Sequence, residues 1–408
     1  WAAPYRESSP KNRRKRTERV SLDGRLKDLS KAFSRGDIIY VSILRDERER
    51  LEVGLVPIPL MEGALVSFPV VTGGLDTLVG GWDFDRNQSR RYLSDSRQLA
   101  STMKPIYYGW RYDQGMPPSA SLSGATYTGG GYDEQGNISK DVIAWEALVY
   151  SRDTASQRVF SGALRAACRG ATGDCVPEKA YRAWGESMGL EDVDRHLQGE
   201  QAEALGSHAQ PPVAMARAYG TLASRGRAPR MPLIRKVEDR TGRMLERHIQ
   251  PLDPHATLGE AITALWDISL PVPGDASGGE AGDAMGSFGR PLGQRPPQQI
   301  SAATAYITTA NLVEVVNRGT GRKFRRRLWT GKRGAVEKTA ELLSREAAGK
   351  TGTLPYDVWF DGFTFDRVAV AWIGADLQER PLGRSVASSG VLCLDVRLAS
   401  RSCSSDSA

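Results

Sequence analysis

Alternating hydrophobic and polar positions predict β-strands near the start of the chain. β-branched and aromatic residues fill 38–44, charged residues at 46–50 indicate a turn, and apolar residues resume at 51–60. This pattern predicts a small β module at 36–62. The residues before it, 1–35, are polar and basic, and we expect a loosely ordered lead-in there.

Longer elements follow this module. Residues 63–68 and 76–81 are predicted as two strands, because they are apolar and flank the turn-forming residues 72–74. In contrast, residues 270–299 are rich in Gly and Pro and predict a long surface loop or insertion.

Helical periodicity dominates the middle of the chain. Apolar residues recur at helical spacing in 141–150, 212–223 and 303–318. Alternation then returns at 358–373, with a turn near 366–367, and predicts a hairpin. Helices flanked by hairpin strands at both ends predict an α+β domain built on a mostly antiparallel sheet.

Composition narrows the class of protein without identifying it. The 408 residues are 40% hydrophobic, which excludes wholesale disorder. Lys and Arg number 55 against 48 Asp and Glu, a net charge of +7, and residues 11–16 alone carry five positive charges. Such a balance suits nucleic acid, an anionic membrane surface or an anionic polymer. Without zinc-finger spacing or a basic heptad region, we expect no nucleic-acid partner.

The cysteines and histidines do not predict a metal site. The four cysteines form no CxxC pair, and the four histidines are not at ligand spacing. A disulfide between Cys168 and Cys175 requires an oxidising compartment, and the spacing leaves that pairing open. The remaining cysteines, Cys393 and Cys403, lie in a Ser-rich tail at 393–408.

The chain contains no predicted membrane-spanning segment or signal peptide. It has no run of 18 or more apolar residues, and its start is polar and basic. It opens with Trp1 instead of Met, which we interpret as a fragment or a processed product.

Three short motifs carry candidate chemistry. Residues 101–104 read S-T-M-K, residues 151–153 read S-R-D, and residues 350–353 read K-T-G-T. If Ser101 opens a helix, Lys104 lies one turn on, on the same face. A lysine in a partly desolvated pocket can lose its proton and act as base for the serine.

The same motifs predict an oxyanion site. Free N–H groups and the positive dipole end at a helix start suit an oxyanion. A strand would carry Lys350 to the pocket, and Gly352 would allow close approach of substrate to the backbone. The Thr353 N–H would donate a second oxyanion hydrogen bond. Each motif alone has a plainer interpretation: Ser101 as a helix N-cap, and 350–353 as a turn entering a strand.

Taken together and in this order, the motifs resemble the acyl-transferase signature of penicillin-binding proteins and β-lactamases. The flanking sequence resembles the transpeptidase domain of class A, bifunctional penicillin-binding proteins, from about residue 63 to 390. The module at 36–62 is similar to the linker region, an OB-like remnant, that precedes this domain in Gram-negative members. The matching segments are 63–67 (GALVS), 78–84 (LVGGWDF), 97–105 (RQLASTMKP), 204–207 (ALGS), 318–321 (RGTG), 349–353 (GKTGT), 359–363 (WFDGF) and 372–374 (WIG).

The resemblance implies a fold and an activity. The fold would be the α+β fold of penicillin-binding proteins and serine β-lactamases, a mostly antiparallel sheet with helices on both faces, over 63–392. The activity would be a D,D-transpeptidase that cross-links peptidoglycan stem peptides and is acylated by β-lactams. Ser101 would attack, Lys104 would take its proton, and Ser151 would relay a proton to the leaving nitrogen.

The resemblance also implies ligands and a location. Lys350, with the hydroxyls of Thr351 and Thr353, would bind the substrate carboxylate. No metal or organic cofactor is needed, since side chains and backbone N–H groups supply the chemistry. We expect the cell envelope, on the periplasmic side of the inner membrane, with the anchor outside this chain. Partners would be stem peptides, β-lactams and other cell-wall synthesis proteins. The basic lead-in would lie near anionic lipid or wall polymer.

One residue departs from the family pattern. Asp153 stands where the family has Asn, and an ionised Asp only accepts hydrogen bonds and favours a protonated Lys104, the wrong state for a base. Two alternatives therefore stay open. One is a D,D-carboxypeptidase or β-lactamase, in which water resolves the acyl-enzyme. The other is a degenerate domain that binds stem peptides or regulates a partner synthase.

Overall fold

A computed structural model describes residues 34, 36–47, 50–56, 61–85, 87–125, 140–169, 175–191, 200–248, 297–322 and 346–375. The chain divides into two compact units, 1–60 and 61–408. Most of the predicted lead-in, residues 270–296 of the predicted loop and the tail at 393–408 lie outside the described residues.

The first unit contains a β-hairpin. Strands β1 (Tyr40–Glu47) and β2 (Arg50–Val56) pair antiparallel, from Tyr40 opposite Val56 to Glu47 opposite Arg50. The strand predicted at 38–44 therefore begins later and runs into the charged segment, because cross-strand pairing continues up to the turn.

The second unit is organised by a five-stranded antiparallel sheet in the order β11-β12-β13-β3-β4. Its central strand β13 pairs with β12 on one side and β3 on the other, so the first and last described strands of the unit are neighbours in the sheet. The α+β class and the predicted hairpin at 358–373 are confirmed. The strands are β3 (Glu62–Pro69), β4 (Thr77–Val79), β11 (Ala348–Thr353), β12 (Asp357–Phe363) and β13 (Arg367–Gly374).

Six short strands form three antiparallel pairs outside this sheet: β5 with β8, β6 with β7, and β9 with β10. The pair β5–β8 matters most for the site, because it joins the segment before Ser101 to the segment before Pro212. The strands are β5 (Arg97–Gln98), β6 (Ser121–Leu122), β7 (Val142–Ile143), β8 (Ala209–Gln210), β9 (Lys236–Glu238) and β10 (Met244–Arg247).

Seven α-helices are described: α1 (Lys104–Asp113), α2 (Ala144–Val149), α3 (Asp153–Ala167), α4 (Pro177–Met188), α5 (Glu200–Ala204), α6 (Pro212–Ala223) and α7 (Ala302–Asn317). The predictions at 212–223 and 303–318 are confirmed, the second within one residue at each end. The prediction at 141–150 is wrong at its start, because the β-branched pair 142–143 joins β6 in a short ladder. Among the described helices, none is both long and apolar enough to cross a bilayer.

The main core lies between the sheet and the helices, and α1 is its central helix. Tyr107 and Tyr108 of α1 are completely buried, and Trp110 stacks on Trp184 of α4 with ring centroids 5.0 Å apart. Buried aromatic rings contribute much of a core's apolar area and fix their neighbours geometrically. The start of α1 is therefore held rigidly in the interior of the unit.

A disulfide joins the end of α3 to the start of α4. Cys168 and Cys175 are bonded, with Cα atoms 5.5 Å apart. Closing so short a loop predicts a stabilisation of about 2 kcal/mol. We expect the double variant Cys168→Ser/Cys175→Ser to lose about that much free energy of unfolding in urea denaturation. Dithiothreitol should lower the stability of the wild type but not of the double variant, and equal stability of both proteins under oxidising conditions would contradict the prediction.

Candidate active site

Ser101 lies in a 3₁₀ helix, Ala100–Met103, that runs directly into α1. The backbone N–H of Lys104 donates to the carbonyl of Ser101, so the serine and the lysine are one tight turn apart. Ser101 is only partly buried, whereas the Lys104 side chain is fully buried. The α-helix itself begins at Lys104, three residues later than the sequence predicts for a helix opened by Ser101.

The turn before Ser101 is fixed by a close backbone contact. Ala100 has a left-handed backbone with φ +51°, and its N–H donates to the carbonyl of Gly206 at 3.0 Å. Gly206 is also left-handed, with φ +79°, and a Cβ there would lie 1.9 Å from the Ala100 oxygen. A side chain at position 206 would therefore push the serine-bearing turn out of place.

We expect Gly206→Ala to lower the free energy of unfolding by more than about 2 kcal/mol, because it adds a backbone clash to the cost of a left-handed Ala. Gly242→Ala is the matched control, since Gly242 has φ +84° but no heavy atom within 4 Å of its Cβ position. The Gly242→Ala variant should lower the free energy of unfolding by only about 1–2 kcal/mol. Equal losses in denaturant unfolding of the two variants would contradict the steric argument.

Ser151 lies in the turn between α2 and α3 and is also left-handed, with φ +56°. This turn brings residues 151–153 to Lys104. Lys104 Nζ donates to the Ser151 carbonyl at 3.0 Å, to Ser151 Oγ at 3.2 Å, and to Oδ1 of Asp153. Asp153 opens α3, where the helix dipole favours a negative charge, and its side chain is about half exposed.

Lys350 approaches the same hydroxyl from the sheet. It is fully buried on β11, and its Nζ donates to Ser151 Oγ at 3.0 Å and to the Thr351 carbonyl at 3.1 Å. Burial lowers the pKa of Lys350 well below its ordinary value, and the nearby Lys104 charge lowers it further. The carboxylates of Asp153 and Asp361 act in the opposite direction and raise this pKa, but by less. Ser151 Oγ thus bridges two lysines.

The rest of the 350–353 motif packs against the serine-bearing turn. A Cβ on Gly352 would meet the Leu99 oxygen at 2.7 Å and the Thr102 methyl at 3.0 Å, so the missing side chain makes room for the protein's own backbone. The Thr351 hydroxyl lies 2.7 Å from the hydroxyl of Thr320. Thr353 is exposed at the end of β11.

Sequence reasoning missed two residues of this site. Thr320 was noticed only within the matching segment 318–321, and nothing in its local pattern indicated a partner on β11. Asp361 lies directly across from Lys350 in the β11–β12 register and is fully buried. Directly paired residues share one sheet face, so a hairpin alignment of the two segments would have found Asp361.

The groups gathered here are of the kinds that acyl transfer uses. Ser101 supplies a hydroxyl at the start of a helical turn, and two buried lysines meet at a second hydroxyl beside it. Within the described residues, no group of three His, Cys, Asp or Glu side chains is placed to hold a metal ion. The hydrogen bonds of Lys104 include those to Ser151 and Asp153, so Asp153 would compete with Ser101 for the lysine if Lys104 acts as its base.

The chain is similar in sequence to known proteins. Over 366 residues the chain is 27% identical to penicillin-binding protein 1A of Pseudomonas aeruginosa, covering 86% of this chain and 40% of that protein. Over 338 residues it is 28% identical to penicillin-binding protein 1A of Neisseria meningitidis serogroup A, covering 80% of this chain and 34% of the other. The chain thus spans 40% or less of the length of these relatives.

No family model matches the chain. The crystal structure of penicillin-binding protein 1A from Haemophilus influenzae superposes with a TM-score of 0.61 at 19% identity, over 88% of this chain and 50% of that one. The chain is therefore similar in sequence to penicillin-binding proteins 1A, and its fold is that of a penicillin-binding protein transpeptidase domain.

Proposed function

We propose that this chain is a serine D,D-transpeptidase that cross-links peptidoglycan stem peptides through an acyl-enzyme on Ser101. The observation that carries the proposal is the meeting of Lys104 and Lys350 at Ser151 Oγ, at 3.2 and 3.0 Å, beside the turn that bears Ser101. The similarity to proteins named for penicillin binding supports the same chemistry.

The reaction has two halves. In the first, Lys104 takes the proton of Ser101 as Oγ attacks the carbonyl carbon between the two terminal D-alanines, and N–H groups at Ser101 and Thr353 stabilise the oxyanion. The peptide C–N bond then breaks, a proton passes through Ser151 to the departing nitrogen, and D-alanine leaves. In the second half, the amine of a neighbouring stem peptide attacks the ester carbonyl. The new C–N bond forms, the ester C–O bond breaks, and the proton that the amine loses passes through Lys104 to Oγ of Ser101.

Lys350 is suited to the terminal carboxylate of the substrate. Burial and the charge of Lys104 disfavour its ammonium form, so an arriving carboxylate would offset that cost. The hydroxyls of Thr351 and Thr353, on the same strand, would add hydrogen bonds. A β-lactam carries a comparable carboxylate and would acylate the same serine.

The proposed setting is the cell envelope, on the periplasmic side of the inner membrane. The substrates would be peptidoglycan stem peptides, and the partners would include other proteins of cell-wall synthesis.

A second candidate function follows from Asp153. The ion pair between Asp153 and Lys104 stabilises the ammonium form, which cannot accept the Ser101 proton. A domain held in this state would bind stem peptides without turning them over, in a scaffold or regulatory role. A D,D-carboxypeptidase, with water as the acceptor, would share the first half of the reaction.

A fluorescent penicillin tests the proposal. We expect the purified chain to form one covalent adduct per molecule, visible on a denaturing gel and by intact mass. Incubation with a pentapeptide and an acceptor amine should then release D-alanine and give a cross-linked product. Release of D-alanine that gives only hydrolysed peptide, without a cross-linked product, would indicate a carboxypeptidase. A chain that is folded by circular dichroism yet takes up no penicillin would contradict the enzyme and favour the scaffold.

A further inference from the structure

A buried acid lies behind the serine-bearing turn. Glu203, on α5, is fully buried, and burial raises its pKa to about 7, which the hydrogen bond from Tyr181 opposes only in part. The Tyr181 hydroxyl donates to Oε1 of Glu203 at 2.7 Å. Among the described residues, Oε2 has no hydrogen-bond partner. The mechanism proposed above makes no use of this carboxyl.

A histidine faces the acid. His208 is also fully buried, and its Nδ1 lies 3.9 Å from Oε1 of Glu203. Its Nε2 lies 3.1 Å from the Glu191 carbonyl. The side-chain nitrogen of Gln210, which can only donate, also contacts Nε2. Because 3.9 Å is too long for a hydrogen bond between Nδ1 and Oε1, the imidazole is a close polar neighbour of the Glu203 carboxyl.

The other groups around Glu203 are mostly uncharged. The ionisable ones among the described residues are Tyr181 of α4 and Tyr107 of α1, whose pKa values are both raised well above the ordinary value, first by burial. Helix α3 contributes the ring of Phe160, 5.3 Å from that of Tyr107 and 5.1 Å from that of Tyr181. Of these carboxyl and phenol groups, Glu203 is therefore the one that changes charge near neutral pH.

The acid and the histidine are tied to Ser101 through the backbone. The His208 carbonyl accepts from the N–H of Leu99 at 3.1 Å, and Gly206 accepts from Ala100 at 3.0 Å. The Tyr107 hydroxyl donates to the Ala204 carbonyl at 2.9 Å. The segment 203–208 thus holds the two residues that directly precede the nucleophile.

We propose that Glu203 is a positioning residue that makes the placement of Ser101 depend on the proton of its carboxyl. With that proton in place, the buried carboxyl is neutral. Loss of the proton leaves a buried carboxylate, and a buried charge that is incompletely paired favours movement of its segment towards water. Because residues 99 and 100 hydrogen-bond to that segment, the serine-bearing turn moves with it. The effect on acylation rests on the function proposed above.

The sign of the pH effect follows from the acid. Its pKa is raised from 4.5 in the unfolded chain to about 7 in the folded protein, so the folded protein holds an extra proton between these values. Stability therefore falls as the pH rises through this window, and the loss is complete above about pH 7. The Gln side chain of the Glu203→Gln variant stays neutral at every pH, so this variant should not lose stability in that pH window.

The test compares the full chain with Glu203→Gln and with Glu186→Gln, an exposed acid on α4 that serves as control. Rates of covalent labelling by a fluorescent penicillin and thermal midpoints are measured at pH 6 and pH 8.5. We expect the ratio of the Glu203→Gln rate to the wild-type rate to be about fivefold larger at pH 8.5 than at pH 6. The control ratio should not change. A ratio independent of pH would overturn the positioning role, even if Glu203→Gln alters the thermal midpoint.

A second variant keeps the test decisive if Glu203→Gln does not fold. Tyr181→Phe removes the hydrogen bond that lowers the Glu203 pKa, so the midpoint of the pH effect should move to higher pH. A midpoint unchanged in Tyr181→Phe would overturn the assignment to Glu203. Absence of labelling in the wild type at both pH values would instead overturn the proposed function. Thermal midpoints that do not depend on pH would separately contradict the presence of a titrating proton on the buried Glu203 carboxyl.

Discussion

Ser101→Ala should abolish covalent labelling by a fluorescent penicillin, a loss of at least about a thousandfold in the acylation rate. The variant removes the oxygen that forms the ester and leaves the turn intact, because backbone hydrogen bonds hold the turn: Ala100 N–H donates to Gly206 and Lys104 N–H donates to the Ser101 carbonyl. Labelling is measured on a denaturing gel over time, and circular dichroism verifies the fold.

Ser94→Ala is the matched control for this experiment, because Ser94 is an exposed serine shortly before the site. It should label at the wild-type rate. If Ser101→Ala labels as fast as the wild type, another residue is the nucleophile and the assignment of Ser101 is wrong. Loss of labelling in both variants would indicate a general effect of substitution instead of a missing nucleophile.

Asp153→Asn should accelerate acylation of Ser101 by about tenfold or more at pH 7. The carboxylate stabilises the ammonium form of Lys104, and removal of an opposite charge from a partly buried site favours the neutral base. Asn keeps a side-chain oxygen for the hydrogen bond to Lys104 and adds a donor.

The control for Asp153→Asn is Asp141→Asn, which neutralises an exposed acid before α2. It should leave the labelling rate unchanged. A slower Asp153→Asn enzyme would contradict the competition between Asp153 and Ser101 for Lys104. It would mean that the carboxylate is needed to hold the lysine in place.

The sequence predicts the elements of this fold best where periodicity is strong. Helix α6 is apolar almost all round, and the hairpin at 358–373 alternates cleanly, so local pattern alone suffices there. The sequence pattern does not predict helices α3 and α4, because hydroxyl residues such as Thr154, Ser156 and Ser161 occupy part of the buried face of α3 and only four residues of α4 are buried. Their place is set by packing, as in the stack of Trp110 on Trp184.

In the site, as in the fold, residues marked by a local motif are predictable from the sequence, and residues placed by tertiary contacts are not. Motif spacing singled out Ser101, Ser151 and Lys350, and the structure brings Ser151 between the lysines. The buried Glu203 could not be predicted, because a Glu in a short polar helix has the pattern of a solvent-exposed residue. Its burial results from tertiary contacts that join α5 to α1 and α4, and no local sequence signal encodes them.

The central position of β13 has a consequence for synthesis of the chain. Strand β3 pairs with β13 from Pro69 opposite Arg367 to Glu62 opposite Gly374, so roughly 300 residues separate the partners. At about 5–20 residues per second, a ribosome needs tens of seconds to make the second strand after the first. Throughout that interval the nascent chain carries an open apolar strand edge, which can pair with another nascent chain. Protection of β3 during translation is thus a requirement that this topology places on the cell.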